Sequence, residues 1–254
     1  MDDKINSRAQ VSIWIMLGIF LVFAFGLFFF LKTSPEIKLA QNFEPKVFIS
    51  QCTRNYVNEA IDKMLPQGGF ISPKNSVLYK DINVTYLCET TGNYKSCISQ
   101  HPLFLSEMEK EIENYISPKI EECFLELILD LKEKNYEVSL EAQKINVSLY
   151  PNKVSLNINK KITLKKGDEV RNFENFNFDV KSPVYNLGSL AIEIANSEAK
   201  YCYFEYIGYN ILYPEVKVKL FTNSDSNRIY TLIDKKTNKE MNIAIRSCYI
   251  PPGI

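Results

Sequence analysis

Histidine is nearly absent from this 254-residue chain: His101 is the only one. It sits in a loop before Pro102, without a nucleophile elbow around it. No Gly-x-Ser-x-Gly, His-Glu-x-x-His, Walker or Gly-x-Gly-x-x-Gly sequence occurs, which removes most nucleophilic, zinc-hydrolase and nucleotide-dependent plans. No residue is therefore assigned as catalytic, cofactor-binding or metal-ligating, and no cofactor is expected. An envelope hydrolase built on Ser–Lys or paired carboxylates needs none of those motifs; it ranks last because nothing in the chain points to one. Glycine (9) and proline (11) are sparse, which excludes collagen-like and low-complexity chains. Net charge is lacking too, since 30 Lys and Arg balance 30 Asp and Glu. No basic stripe calls for nucleic acid, and no acidic block makes a solvating tail.

What the chain has is apolar residues, 46 % of the total, enough to bury a sizeable core. The many Tyr and Phe read as core and sheet surface before they read as a carbohydrate platform. From Ala9 to Leu31 there is no charge, and Val11 to Leu31 is apolar apart from Ser12. Roughly 20 apolar residues at about 1.5 Å each span the ~30 Å hydrocarbon layer. The run exceeds the ~7–15 residue core of a cleavable secretory signal, and no Ala-x-Ala site follows it. It predicts a single transmembrane helix with nearly all the mass on one side of a lipid bilayer. Lys4 and Arg8 precede it and Lys32, Lys38 and Lys46 follow, so the positive-inside rule does not orient it.

The six cysteines do. Cys52, Cys88, Cys97, Cys123, Cys202 and Cys248 all follow the apolar run, and none forms a Cys-x-x-Cys pair. A zinc site wants tighter spacing. An even number confined to the large part suits three disulfides in an oxidising compartment, which predicts an extracytoplasmic domain. Six cysteines allow fifteen connectivities. The sequons Asn83-Val84-Thr85 and Asn146-Val147-Ser148 carry little weight in an asparagine-rich chain.

The expected organisation is a cytoplasmic tip and transmembrane helix (1–32), a stalk (33–46), an α+β lobe (47–185) and a helix-plus-strands lobe (186–254). Residues 47–65 read as a helix with Phe48, Cys52, Tyr56, Ala60 and Met64 every four residues and Val57 and Ile61 widening the stripe. Pro66 and Gly68-Gly69 end it. Those glycines follow a helix and lead into Phe70-Ile71, which reads as a strand, so they are not a phosphate loop. Strand-like text runs to Cys88, and Cys88 and Cys97 bracket a loop short enough to close by a disulfide. Ser106 with Glu109 forms a capping box, and Ser117-Pro118 opens a second helical segment. There Ile120, Cys123, Phe124, Leu127, Ile128 and Leu131 line one face, with Leu125 and Leu129 read as buried. Cys123 on that face and Cys52 on the earlier helix are natural partners. Glu109, Glu111, Glu113, Glu121 and Glu122 read as a solvated face rather than an acid–base or metal site. From Glu137 to Val180 the period drops to two, an antiparallel meander with one buried face under the 118–134 helix. A helix over 186–206 and strands at 215–222, 228–234 and 241–249 follow, leaving Cys202 and Cys248 to tie the end of the chain to that helix.

Ser7-Arg8-Ala9-Gln10-Val11-Ser12 before the apolar run resembles the archaeal class III, pilin-type signal, whose cleavage bond here is Ala9–Gln10. Trp14 stands where that pattern commonly has glutamate. The anchor, Cys52, Pro66-Gln67-Gly68-Gly69-Phe70-Ile71, Ser106-x-x-Glu109 and Cys123 resemble a group of single-pass envelope proteins of small-genome archaea. The resemblance implies location and architecture and supplies no catalytic residues. The expected protein is a non-enzymatic, membrane-anchored surface protein of structural or assembly type, with a pilin-like form associating with like subunits or other envelope proteins through its N-terminal helix. The alternative is an anchored extracellular module that binds a ligand or partner.

Overall fold

A proline starts the first helix of the domain, α1 (Pro45–Met64), where its missing N–H is no loss and its fixed φ is already helical. The computed structural model describes residues 44–248 together with Gly18, Phe20 and Leu21. Apart from those three residues, the expected transmembrane helix lies outside the described residues, as do the Ala9–Gln10 bond and nearly all of the stalk. Among the described residues, no helix is long and apolar enough to cross a membrane.

The buried stripe of α1 is Ile49, Thr53, Val57, Ala60, Ile61 and Met64; Val57, Ala60, Ile61 and Met64 are the expected ones, and Ile49 and Thr53 take the place of Phe48 and Cys52 in the first half. Phe48, Cys52 and Tyr56 are half-buried on its flank. Counting apolar letters misplaced only that first half, because Thr53, a polar residue, is fully buried there.

After a 3-10 turn (Leu65–Gln67) come β1 (Ser76–Tyr79), β2 (Ile82–Glu89) and the two-residue β3 (Ile98–Ser99). Then α2 runs unbroken from Phe104 to Glu133. The expected division at Ser117-Pro118 is corrected: Pro118 lies inside the helix, on its exposed side. A mid-helix proline costs about 3 kcal/mol. Against that stand Phe104, Met108, Ile112, Ile116, Ile120, Cys123, Phe124, Leu127 and Leu131, one continuous buried stripe, each side chain contributing about 1.5–3 kcal/mol. The stripe wins. Because the helix begins at Phe104 with no side-chain cap, Ser106 is already inside it and forms no capping box. Leu125 and Leu129 are not buried but 52 % and 63 % exposed, since they point away from the stripe.

The meander expected over 137–180 folds instead as two three-stranded antiparallel sheets. One is β4 (Glu137–Leu140), β7 (Ile162–Lys166) and β8 (Glu169–Phe173); the other is β5 (Lys144–Tyr150), β6 (Lys153–Asn159) and β9 (Phe176–Lys181). Hairpins β5–β6 and β7–β8 join consecutive strands, but β4 skips to β7 and β9 returns to β6. The α2 helix covers β5, and Phe124 meets Phe176 edge-on at 5.3 Å.

Two helices follow, α3 (Val184–Tyr201) and the short α4 (Tyr206–Leu212), then β10 (Val216–Thr222), β11 (Arg228–Asp234) and β12 (Glu240–Arg246). The largest sheet has the order β1-β2-β12-β11-β10, with β3 on β2. Its β2–β12 pair is parallel, so strands from both sides of the expected 185/186 boundary lie in one sheet. Residues from Pro45 onward group as one unit. The fold is α+β with antiparallel sheets covered by helices, as the residue pattern predicts.

The disulfides are Cys52–Cys123, Cys88–Cys97 and Cys202–Cys248, with Cα separations of 6.1, 5.3 and 5.7 Å. They are the pairs that the sequence offers among its fifteen connectivities, the first from two helices, the second from loop length and the third as the remainder. Among the described residues no cysteine is free.

Candidate functional site

The segment Pro66-Gln67-Gly68-Gly69-Phe70-Ile71 is a bolted turn, not the entry to a strand. Gly68 and Gly69 take φ of 80° and 90°, a region that glycine enters without strain. Gly69 N donates to Met64 O at 2.9 Å. The Thr85 hydroxyl of β2 donates to Gln67 O at 2.8 Å, and Asn242 Nδ2 of β12 donates to Pro66 O at 3.1 Å. Both main-chain groups of Ile71 are taken by side chains: Glu111 Oε2 accepts from its N–H at 3.0 Å and Gln67 Nε2 donates to its carbonyl at 3.2 Å. No ladder partner remains for Ile71, which is why Phe70-Ile71 forms a bend.

A Cβ placed on Gly69 falls 2.7 Å from Phe104 Cζ. Gly69→Ala is expected to lower stability by about 2–4 kcal/mol, combining left-handed strain with overpacking. Gly167→Ala is the comparator: φ is also positive, at 60°, but nothing lies within 4 Å. Thermal unfolding should rank Gly69→Ala well below Gly167→Ala. Equal midpoints would remove the steric argument.

The turn delivers Phe70 to one wall of a cleft of about 450 Å³. Phe70 stacks against His101 with ring centroids 4.6 Å apart, and both rings approach Phe104. His101 Nδ1 lies 2.6 Å from Glu107 Oε2. From α2, Lys110, Glu111 and Asn114 complete the facing wall, and Lys74 and Asn75 approach from the strand side. His101 also lines a smaller cavity of about 220 Å³ behind it, with Leu87, Phe104 and Ile192.

Each wall is cross-linked. Cys52–Cys123 joins α1 to α2. Cys88–Cys97 holds the loop that leads into β3, and Gln100 N continues that pairing to Leu87 O at 2.9 Å, placing His101 next in line. A preorganised cleft binds without a large ordering cost.

Most of the glutamates read as a solvated face have assigned partners. Glu109 Oε1 accepts from Leu149 N of β5 at 2.8 Å. Glu111 holds Ile71 as above. Glu121 pairs with Lys160, itself only 3 % exposed, at 2.6 Å. Glu122 is exposed and Glu113 half-buried. The acidic face of α2 is thus mainly an adhesive face toward neighbouring backbone. No sequence spacing distinguishes such a glutamate from a solvated one. Among the described residues, no group of His, Cys, Asp and Glu is arranged to hold a metal.

Outside the cleft, Glu59, Tyr115, Lys63 and Lys119 bridge α1 and α2. The Tyr115 hydroxyl, followed by the Lys63 ammonium, brings the Glu59 carboxyl down to about 2. At Glu198 the opposite holds: burial raises the carboxyl, against the pull of the Tyr230 hydroxyl and the Arg228 guanidinium.

The six cysteines occupy the three bridges, while Ala9 and Gln10 lie outside the described residues. Phe70, His101, Lys74 and Lys110 were not singled out as a group by sequence. The one readable signal was Gly68-Gly69 before an aromatic residue, a place where the backbone requires φ > 0. Comparison with family models, curated proteins and solved structures finds no match for this chain.

Proposed function

We propose that this chain is a membrane-anchored, extracytoplasmic, non-enzymatic module that binds a small organic anion in the His101 cleft. One observation carries the ligand class. The carboxylates of the cleft are engaged inside the protein, Glu107 by His101 and Glu111 by Ile71 N–H, whereas among the described residues Lys74 and Lys110 have no ion-pair partner. Two ammoniums lining the same cleft as the Phe70 ring suit an anion with a planar apolar portion.

The test uses the full chain in detergent micelles and saturation-transfer NMR with benzoate, phenyl phosphate and neutral benzamide. Both anions should give signal, benzamide markedly less. Lys74→Ala with Lys110→Ala should weaken anion binding at least about tenfold, the loss of one charge-assisted contact each. Anion signal that survives that double change, or an equal response to benzamide, would refute the reading. Location is tested by thiol labelling of intact cells: thiols should label only after reductant.

A second reading, a structural or pilin-like assembly component, rests on Ser7–Ser12 and the apolar run. It requires a chain that starts at Gln10. Mass spectrometry that finds the intact N-terminus in membranes would end it.

A further inference from the structure

The α4 helix faces outward. None of its residues is buried, yet Tyr206–Leu212 carries no charge, and Ile207, Ile211 and Leu212 are 57 %, 75 % and 75 % exposed. A seven-residue helix does not persist on propensity alone. Polar clamps hold this one in place. Glu205 Oε1 accepts from Gly208 N at 3.1 Å, and the Tyr203 hydroxyl donates to the other oxygen of Glu205 at 2.5 Å. The Asn210 side chain binds both main-chain groups of Val218, donating to its carbonyl at 2.9 Å and accepting from its N–H at 2.7 Å. Since β10 is an edge strand, Asn210 both fixes the helix and closes that edge. Tyr201, Tyr203 and Tyr213 are exposed beside the aliphatics. Aliphatic side chains rimmed by amphipathic tyrosines have the composition of an interfacial segment.

The chain outside the described domain indicates what covers this face. Only residues 32–44 separate the apolar run ending at Leu31 from Pro45. Thirteen residues reach at most about 45 Å, so an anchored domain stays within that distance of the lipid surface. A second copy is the weaker occupant, because one seven-residue helix offers far less than the roughly 800 Å² per partner of a stable interface. We propose that α4 docks on the bilayer to which the chain is tethered, with Ile207, Ile211 and Leu212 entering the headgroup region. This rests on the anchored reading of the preceding subsection.

The full chain is prepared with Trp14→Phe, which removes its single tryptophan, and with Ile211→Trp as reporter. It is reconstituted in phosphatidylcholine vesicles with and without acyl-chain-brominated lipid. Leu78→Trp is the comparator, exposed on β1 at the opposite edge of the sheet. Brominated lipid should quench the Ile211→Trp reporter at least about twofold and leave the comparator largely unchanged. Equal quenching of both, or none at position 211 in a chain that floats with vesicles after alkaline carbonate, overturns the docking alone. A blue shift at 211 that follows the protein-to-lipid ratio without quenching also overturns it, in favour of self-association. A chain that does not float overturns the anchored reading and the docking together.

Discussion

Reduction of the three disulfides is expected to unfold the domain. Cys52–Cys123 closes a separation of 71 residues and Cys202–Cys248 one of 46; on the chain-entropy model each is worth about 4 kcal/mol. Cys88–Cys97, with a separation of 9, adds about 2.5 kcal/mol on the same model. Together they approach the roughly 5–15 kcal/mol that separates a native domain from its unfolded ensemble. Far-ultraviolet circular dichroism of the full chain in detergent should show loss of helix and sheet signal at room temperature once reductant is added. Cys52→Ser with Cys123→Ser is expected to lower the thermal midpoint by about 8–16 °C, from ~2–4 °C per kcal/mol for a domain of this size. A reduced chain that keeps its signal and its midpoint would show that packing alone holds the fold.

The second large effect is expected at Glu198, which is fully buried near the C-terminal end of α3. Its carboxylate accepts from the Tyr230 hydroxyl and from Arg228 Nη1, and the same Nη1 donates to Cys202 O. Its carbonyl accepts from Ser247 Oγ at 3.0 Å, and that oxygen accepts in turn from Cys97 N at 3.1 Å. One residue thus links α3, β11, the end of β12 and two disulfide loops. Glu198→Ala leaves a cavity, an unpartnered buried phenol and an uncompensated guanidinium, a class of change that costs about 3–5 kcal/mol. Arg228 is 23 % exposed, which puts the expectation at the lower end. Glu198→Gln keeps an acceptor for Tyr230 and should cost less.

The pH dependence separates a buried carboxyl, Glu198, from a partly exposed one, Glu59. Burial raises the Glu198 carboxyl above 4.5, so the native state holds its proton at a pH where the unfolded chain has released it. That contribution is present below about 4.5 and is lost as pH rises through the folded pKa. Glu59, brought down to about 2 by Tyr115 and Lys63, acts in the opposite sense: its contribution is present above about 4.5 and is lost as pH falls toward 2. Thermal midpoints should therefore peak in mild acid. Glu198→Gln should flatten the alkaline limb and Glu59→Gln the acid limb; an alkaline limb identical in wild type and Glu198→Gln would refute the assignment.

Local pattern and tertiary context divided the molecule between them. Helices and strands were legible wherever one face is buried, because burial imposes a period of 3.6 or 2 on the residues. The cysteine pairs were legible only in part: two helices, a short loop and a remainder offer this pairing, but six cysteines allow fifteen connectivities and the sequence alone does not fix one. The expectation of an anchor at Val11–Leu31 comes from length and apolarity alone.

Other features required the whole fold. The break expected at Pro118 vanished because nine buried side chains outweigh one lost hydrogen bond. Leu125 and Leu129 turned outward because a helix buries only the face that meets a neighbour. The parallel β2–β12 pair joins segments more than a hundred residues apart, and no local period encodes such a partner. Glu109, Glu111 and Glu121 read as surface because a carboxylate has no periodic signal for the backbone N–H or ammonium that will reach it. For the same reason the cleft was illegible: Phe70 arrives by a turn, His101 by a disulfide-held loop and Lys110 by a helix. Composition and period determined the class of fold, and cysteine placement offered its cross-links without fixing them. Which polar groups meet, and where a cleft opens, was decided only when distant segments packed, because those contacts depend on three-dimensional distance and not on spacing along the chain.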